Sequence, residues 1–288
     1  MAVRTLVFTL FALVCFAANS ILCRLALGDG TIDAASFASL RVLSGTVALL
    51  LLLAVTRSGR GRPAGDWRSG FLLFLYAVPF SYSYLELSAG TGALILFGAV
   101  QSTMLIAALR TGERPRATEW TGLLLALAGL VMLVLPGLDA PSPAGSALMA
   151  VAGIAWGLYS LRGRGARDPL AQTAGNFARA LPFAAAVSLV TLRGLDVTPR
   201  GAGLAVASGA AASGLGYVVW YAALPGLTAT RAAIVQLSVP VLAAAAGVLL
   251  LAESITLRFI AASVIILGGV TLALAGRLRP ARSRPGSE

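Results

Sequence analysis

Long apolar runs, separated by short polar or turn-rich breaks, follow one another along the whole of this 288-residue chain. A helix needs about 20 mostly apolar residues to cross a hydrocarbon core of about 30 Å. The runs therefore predict ten transmembrane helices, here called spans 1 to 10. Their predicted limits are 4–27, 34–56, 69–87, 90–110, 117–136, 143–162, 171–192, 201–223, 228–250 and 257–276. The polar, Pro-containing segment 277–288 predicts a disordered tail.

Composition agrees with this pattern. Hydrophobic residues make up 58% of the chain and charged residues only 11%, whereas a soluble domain carries roughly 25% charged residues. The composition therefore indicates an all-α membrane protein with very little outside the bilayer. The first run could also be a cleaved signal peptide, since Arg4 precedes it.

One pattern is written twice, 140 residues apart. Glu113 falls on Glu253, Gly129 falls on Gly269, and two long apolar runs lie in register behind them. The alternative interpretation is chance similarity among helices rich in Leu, Ala and Gly. Cleavage of a signal peptide would destroy half of this symmetry, which argues against that interpretation of the first run.

The repeat divides the chain into two halves of five spans, 1–138 and 139–276. Because five is odd, the second half must enter the membrane from the opposite side. The sequence therefore predicts two inverted repeats, an arrangement typical of secondary transporters, with a substrate site where the halves meet.

Loop charges predict the orientation. All 22 basic residues are Arg, which together with abundant Ala and Gly suggests a GC-rich bacterial genome. Cytoplasmic loops carry an excess of positive residues, and a cytoplasmic N-terminus leaves only Arg193, Arg200 and Arg258 in the opposite loops. The cytoplasmic loops and tail then hold Arg57, Arg60, Arg62, Arg68, Arg110, Arg114, Arg116, Arg162, Arg164, Arg167, Arg231, Arg277, Arg279, Arg282 and Arg284. We expect a bacterial inner-membrane protein with both termini in the cytoplasm.

Several function classes are disfavoured. The formal net charge of +11 is spread over short loops and forms no single basic face for a nucleic acid. The chain has no His, so it lacks Ser-His and Cys-His nucleophile pairs and the usual zinc ligands. We expect no enzyme activity, no cofactor and no metal site. A structural or sensory membrane protein remains an alternative, although the chain shows no extramembrane domain.

The motifs resemble a known family. The basic loop followed by Glu and two glycines, at 113–129 and again at 253–269, resembles the end of an EamA repeat. The aromatic-plus-Ser segments 16–20 and 156–160 resemble its beginning. The resemblance covers about residues 4–276 and implies the drug/metabolite transporter superfamily. Within it, the chain is similar to bacterial YddG-type exporters of aromatic and other neutral amino acids.

The resemblance further implies that spans 1, 3, 4, 6, 8 and 9 surround a central cavity, with spans 5 and 10 peripheral. Polar and aromatic residues recur in those six spans and are the candidate substrate-pathway residues. They are Asn19, Tyr82, Gln101, Trp156, Tyr159, Tyr217, Trp220 and Gln236. Alternatively, the amides connect helices, and Tyr84, Trp220 and Tyr221 belong to an interfacial aromatic belt.

Charged residues inside the spans are scarce. Arg41 and Arg179, which the repeat relates, could bond backbone carbonyls, extend to the interface or hold a carboxylate. Glu86, in the last predicted turn of span 3, is a candidate for proton coupling. Since no carboxylate lies near the bilayer centre, facilitated diffusion is the simpler mechanism.

Aromatic faces can stack a ring or attract an ammonium group, and amides can replace part of a solute's hydration. We therefore expect alternating-access export of small amino-acid-like metabolites, with efflux of cationic drugs or nucleotide-like solutes as the alternative. The expected partners are a small-molecule substrate and the lipid bilayer, and the sequence does not indicate an oligomeric state.

Overall fold

The computed structural model describes residues 3–56, 62–112, 117–134, 141–254 and 256–275. The predicted tail 277–288 and Glu113 of the repeated motif lie outside these residues. Spans 1 to 7 and span 10 are helices with the limits Val3–Gly28, Ala34–Thr56, Trp67–Ser83, Ala89–Arg110, Ala117–Val134, Pro143–Gly163, Pro169–Val190 and Leu257–Ala275. Apart from one antiparallel bridge between Ile32 and Val197, the described residues hold no β-structure.

Spans 8 and 9 are interrupted helices. Span 8 begins as the α-helix Pro199–Ala207, continues as the π-helix Ser208–Leu215 and returns to the α-helix Gly216–Ala223. Span 9 consists of the helices Ala229–Gln236 and Val239–Leu251. Non-regular backbone at membrane depth is tolerated where protein buries it or where it lines a water-filled cavity.

Within the described residues, six helical segments are long and apolar enough to cross a bilayer. They are Val3–Gly28, Ala34–Thr56, Ala89–Arg110, Pro143–Gly163, Pro199–Gly226 and Arg231–Leu251, with shorter apolar stretches in spans 5 and 10. Their outward faces expose large apolar side chains such as Leu51, Val55 and Leu249, which suits contact with lipid tails. The prediction of an all-α membrane protein is confirmed.

The spans pack mainly across the two halves, and the contacts come in symmetric pairs. Span 2 packs on span 7, span 4 on span 9 and span 5 on span 10. Exchanging the halves converts the contact of spans 3 and 6 into that of spans 8 and 1. It likewise converts the contact of spans 4 and 6 into that of spans 9 and 1, and that of spans 3 and 7 into that of spans 8 and 2. This is the contact pattern of two inverted copies of one five-helix unit.

Helix starts repeat between the halves as well. The hydroxyl of Ser88 accepts from Thr91 N at the start of span 4, and the hydroxyl of Thr228 accepts from Arg231 N at the start of span 9. A side chain in this position satisfies a backbone N–H that has no partner within the helix. Corresponding spans of the two halves therefore begin at equivalent caps.

The predicted end of span 3 was wrong by four residues. The helix ends at Ser83, because Tyr84, Leu85 and Glu86 donate their N–H groups to the carbonyls three residues before them. Glu86 therefore lies in the loop, where it is exposed and its carboxylate accepts from the hydroxyl of Ser142.

Asp66 joins spans 3 and 6 on the side of the molecule where the chain begins. It caps span 3 by accepting from Ser69 N at 3.0 Å, and it pairs with Arg162 of span 6 at 3.0 Å. Burial alone would raise the pKa of Asp66, but the hydrogen bonds from Ser69 and Arg162 outweigh it and lower the pKa.

We expect Asp66→Ala to lower the free energy of unfolding by about 1 kcal/mol, since a lost N-cap typically costs that much. A lowered pKa in the folded state stabilises the protein above the unfolded value of about 3.9. The part of the difference from wild type that depends on the ionised carboxylate should therefore be full at neutral pH. It should start to fall at about pH 4 and be lost as the pH drops through the lower pKa of the folded state. Thermal unfolding in detergent at several pH values measures it.

Asp29→Ala is the matched control, because Asp29 caps no helix in the described part of the chain and pairs with the exposed Arg200. Its expected effect is within about 0.5 kcal/mol. An Asp66→Ala protein with wild-type stability at neutral pH would contradict the role of this cap.

Candidate functional site

Aromatic side chains from spans 1, 3, 6 and 8 meet at the centre of the molecule. Trp156 contacts Tyr217 at 4.5 Å between ring centroids, Phe16 and Tyr76 at 5.2 Å, and Tyr159 at 5.5 Å. The group, here called the ring cluster, comprises Phe16, Tyr76, Phe80, Trp156, Tyr159, Tyr217 and Trp220. Each of these side chains is buried, so the structure holds the rings packed against one another at the contact of the two halves.

A single arginine enters this cluster from span 2. The guanidinium of Arg41 is 1% exposed and lies 5.0 Å from the ring centroid of Tyr76 and 4.8 Å from that of Phe80. Its Nη2 donates to the hydroxyls of Tyr76 at 2.9 Å and Tyr217 at 2.7 Å. Among the residues that the structure describes, no Asp or Glu forms a salt bridge with Arg41. The centre therefore holds a cation that hydroxyls and ring faces stabilise.

Small residues let spans 2 and 8 approach closely enough to place Arg41 there. A Cβ on Gly209 would lie 2.1 Å from the carbonyl oxygen of Arg41, and a Cβ on Gly45 would lie 2.9 Å from the carbonyl oxygen of Gly209. In a membrane such small residues permit backbone contact where apolar burial no longer drives association.

The π-helix of span 8 aligns two hydroxyls on one amide. Ser208 and Ser213 donate to Oδ1 of Asn19 at 2.8 and 3.0 Å. Residues five apart diverge around an α-helix, whereas the i→i+5 pattern of a π-helix brings them onto one face. The oxygen of Ser213 also accepts from Nε of Arg41 at 2.9 Å. Arg41, Ser213 and Asn19 therefore form one hydrogen-bonded chain across spans 2, 8 and 1.

Donor atoms of this chain remain without partners. Nη1 of Arg41 and Nδ2 of Asn19 are buried and have no hydrogen-bond partner among the described residues. An unmet hydrogen-bonding group costs about 1–3 kcal/mol, and more when it is charged. Such a pair of donors can bind the oxygens of an anionic group.

The two predicted indoles and Gln236 connect helices, whereas Gln101 is not shown to do so. Oε1 of Gln236 accepts from Nε1 of Trp156 at 2.8 Å, and Nε1 of Trp220 donates to the hydroxyl of Ser160 at 3.2 Å. Gln101 is buried in span 4 with Oε1 unpartnered among the described residues. Trp220, Tyr221 and Tyr84 are fully buried, which argues against the alternative of an interfacial belt.

Three predicted residues lie away from the ring cluster. Tyr82 is half-buried at the end of span 3, because it is displaced by about 200° around the helix from Phe80, at about 100° per residue. Arg179 donates to the carbonyl oxygens of Ala64 at 2.8 Å and Gly175 at 2.9 Å, one of the roles that the sequence left open. Glu86 is the third, in the loop after span 3.

Sequence reasoning missed five members of the centre. Phe16 was considered only as a marker of the repeat, and Tyr76, Phe80, Ser208 and Ser213 were not considered. Tyr76 and Phe80 are four residues apart and so share one face of span 3. That spacing was the available signal, although Phe71 and Phe74 of the same span made it hard to recognise.

A second set of charged side chains, Glu253 and Arg24, links helices on the opposite side of the molecule. Glu253 accepts from Ala89 N, at the start of span 4, at 3.1 Å and from Nε of Arg24 at 3.3 Å. Nη1 of Arg24 also donates to the carbonyl of Tyr84 at 3.0 Å. The repeated Glu thus serves here as a connector between spans 1, 4 and 9.

Known proteins agree with this architecture. Residues 3–135 and 143–275 each match the EamA-like transporter family. An uncharacterized protein of Pseudomonas aeruginosa is 54% identical over 275 residues, covering 96% of both chains. An uncharacterized transporter of Archaeoglobus fulgidus is 26% identical over 257 residues, covering 84% of this chain and 89% of its own. A protein of known crystal structure superposes with a TM-score of 0.72 at 19% identity, covering 97% of this chain and 99% of its own, which is a likeness of fold. The chain therefore belongs to the EamA-like transporter family.

Proposed function

We propose that this transporter exports small metabolites, chiefly aromatic and other neutral amino acids, across a bacterial inner membrane. The single observation that carries the proposal is the ring cluster at the contact of the two halves, with a buried Arg41 that forms no salt bridge with any described carboxylate. A carboxylate can bind the guanidinium, while an aromatic side chain can replace one of the ring contacts. The resemblance to YddG-type exporters supports the same substrate class.

The symmetry of the contacts supports alternating access. Spans 3 and 6 pack as spans 8 and 1 do, so the two halves can exchange equivalent arrangements about the central site. One arrangement opens the site to the cytoplasm and the other to the periplasm. The rings that now contact one another would separate to admit the substrate.

The orientation and direction rest on charge and resemblance. The arginine-rich loops favour a cytoplasmic N-terminus and C-terminus, and the resemblance supports export. Arg41 has no carboxylate partner among the described residues, and Glu86 is exposed in a loop. Facilitated diffusion down the substrate gradient is therefore the simpler mechanism, because proton coupling would also need a proton-carrying side chain in the pathway.

Nucleotide-like solutes are the second candidate, and Arg41 is the observation that favours them, since a phosphate also binds a guanidinium. Efflux of cationic drugs is disfavoured by the same positive charge. Substrates that combine a ring with one anionic group fit both the rings and the arginine.

Flux into proteoliposomes tests the proposal. Labelled phenylalanine, tryptophan, methionine and threonine should show saturable uptake above that of empty liposomes, with phenylalanine and tryptophan fastest. An imposed pH gradient should leave the rates unchanged, whereas dependence on it would favour proton coupling through Glu86. Failure of all four amino acids to cross would sink the amino-acid proposal.

A further inference from the structure

The strongest unexplained feature of the centre is its excess of donors. Arg41 presents five N–H groups and no acceptor, and within the described part of the chain it donates to one serine and two tyrosine hydroxyls. In the same part of the chain, Nη1 of Arg41 has no partner, and neither has Nδ2 of Asn19 at the other end of the Arg41–Ser213–Asn19 chain. Buried polar groups are normally paired, so each exception calls for an explanation.

The hydrogen-bond chain determines the orientation of the Asn19 amide. Ser213 accepts from Nε of Arg41, which leaves the serine's own proton free to be donated to Oδ1 of Asn19. Ser208 donates to the same oxygen. Because two hydroxyls engage the amide oxygen, the N–H donors of Nδ2 are the groups that remain without a partner among the described residues.

We infer that Arg41 and Asn19 form a carboxylate-binding site that recognises aromatic monocarboxylates, including acids that have no amino group. The inference rests on the proposed function for the location of the substrate, and it goes further by assigning recognition to the carboxylate. Both unpartnered groups are donors and one is charged. The rings of Tyr76, Phe80 and Tyr217 lie beside the guanidinium, so an aryl group bound there would meet aromatic neighbours.

The amino group contributes little to this recognition. Among the described residues no Asp or Glu pairs with Arg41. The carboxylate-binding donors therefore have no acidic side chain beside them that could pair with the ammonium group of an amino acid. Arg41 repels it as a like charge, and the ring faces attract it only weakly. A monoanionic acid neutralises the buried guanidinium, whereas a zwitterion leaves the net charge of the site unchanged.

Three probes separate these contributions in the full-length protein in detergent. All three share the phenyl ring. 3-Phenylpropionate carries only the carboxylate, phenethylamine carries only the amine, and phenylalanine carries both groups. Quenching of the intrinsic fluorescence of Trp156 and Trp220, which lie in the ring cluster, measures binding. We expect 3-phenylpropionate to bind at least as tightly as phenylalanine and phenethylamine at least tenfold more weakly than either.

Asn19→Asp is the sharpest variant. It keeps the acceptor for Ser208 and Ser213, replaces the unpartnered donor with an acceptor and places a carboxylate beside Arg41. The variant should be at least as stable as wild type and should bind 3-phenylpropionate at least tenfold more weakly. A purely structural Asn19 would leave binding unchanged.

Arg41→Lys provides a second test, because it retains the charge but loses the planar array of donors. It should also weaken 3-phenylpropionate at least tenfold. Arg179→Lys is the control, since Arg179 bonds the carbonyls of Ala64 and Gly175 outside the ring cluster, and its binding should match wild type.

The outcomes distinguish this site from the proposed function. Binding of 3-phenylpropionate that is lost in Asn19→Asp supports the site even if no amino acid crosses the proteoliposome. Each of three results would overturn it. Phenethylamine could bind as tightly as phenylalanine, Asn19→Asp could leave binding unchanged, or 3-phenylpropionate could fail to bind at millimolar concentration.

Discussion

Gly153→Val should prevent the stable packing of spans 4 and 6. A Cβ at Gly153 would lie 2.4 Å from the carbonyl oxygen of Leu96 and 2.7 Å from Cβ of Ala99. The carbonyl cannot turn away without losing its place in the helix of span 4, so the two spans must move apart. Overpacking of this kind costs about 3 kcal/mol, and we expect little folded protein after purification and a much lower unfolding temperature.

Gly268→Val is the matched control within a helix. A Cβ at Gly268 meets nothing within 4 Å, so this change should leave the unfolding temperature within a few degrees of wild type. Size-exclusion profiles and thermal unfolding in detergent measure both variants. A Gly153→Val protein as stable as Gly268→Val would contradict backbone contact between spans 4 and 6.

This glycine also shows what could be predicted from the sequence. Gly153 and Gly157 are four residues apart, and that spacing predicts a face where another helix can approach. The structure places Leu96 and Thr103 of span 4 against them. The spans themselves could be predicted from apolar runs, because a bilayer imposes a minimum helix length. The end of span 3 could not, because it depends on local hydrogen bonds that the hydrophobic pattern does not indicate.

The centre was harder to predict, because membrane helices place apolar aromatics both inward and toward lipid. Tyr82 was predicted in the pathway and Tyr76 was not, although only a rotation around one helix separates their faces. Arg41 and Arg179 are equivalent in the repeat, yet only Arg41 enters the ring cluster, since the glycines of spans 2 and 8 bring those helices together. The π-helix of span 8 lies in a run of small residues, Ser208–Leu215, that is equally compatible with an α-helix.

Trp156→Ala should both destabilise the protein and abolish transport. Trp156 contacts Phe16, Tyr76, Tyr159 and Tyr217 and donates to Gln236. Truncation of a buried tryptophan costs about 3–5 kcal/mol, because the cavity is only partly refilled. Amino-acid flux in proteoliposomes should fall at least tenfold, measured per folded molecule after size-exclusion chromatography. Trp120→Ala, on a partly exposed position of the peripheral span 5, should retain wild-type flux.

Trp156→Phe separates the ring face from the hydrogen bond. Phenylalanine retains an aromatic surface but leaves Oε1 of Gln236 without the 2.8 Å bond to the indole, at a cost of about 1–3 kcal/mol. Flux that survives in Trp156→Phe and is lost in Trp156→Ala would assign the substrate contact to the ring face. Flux lost equally in both would assign it to the link between spans 6 and 9, since Gln236 lies at the end of the first helix of span 9. Wild-type flux in folded Trp156→Ala would remove the ring cluster from the transport pathway.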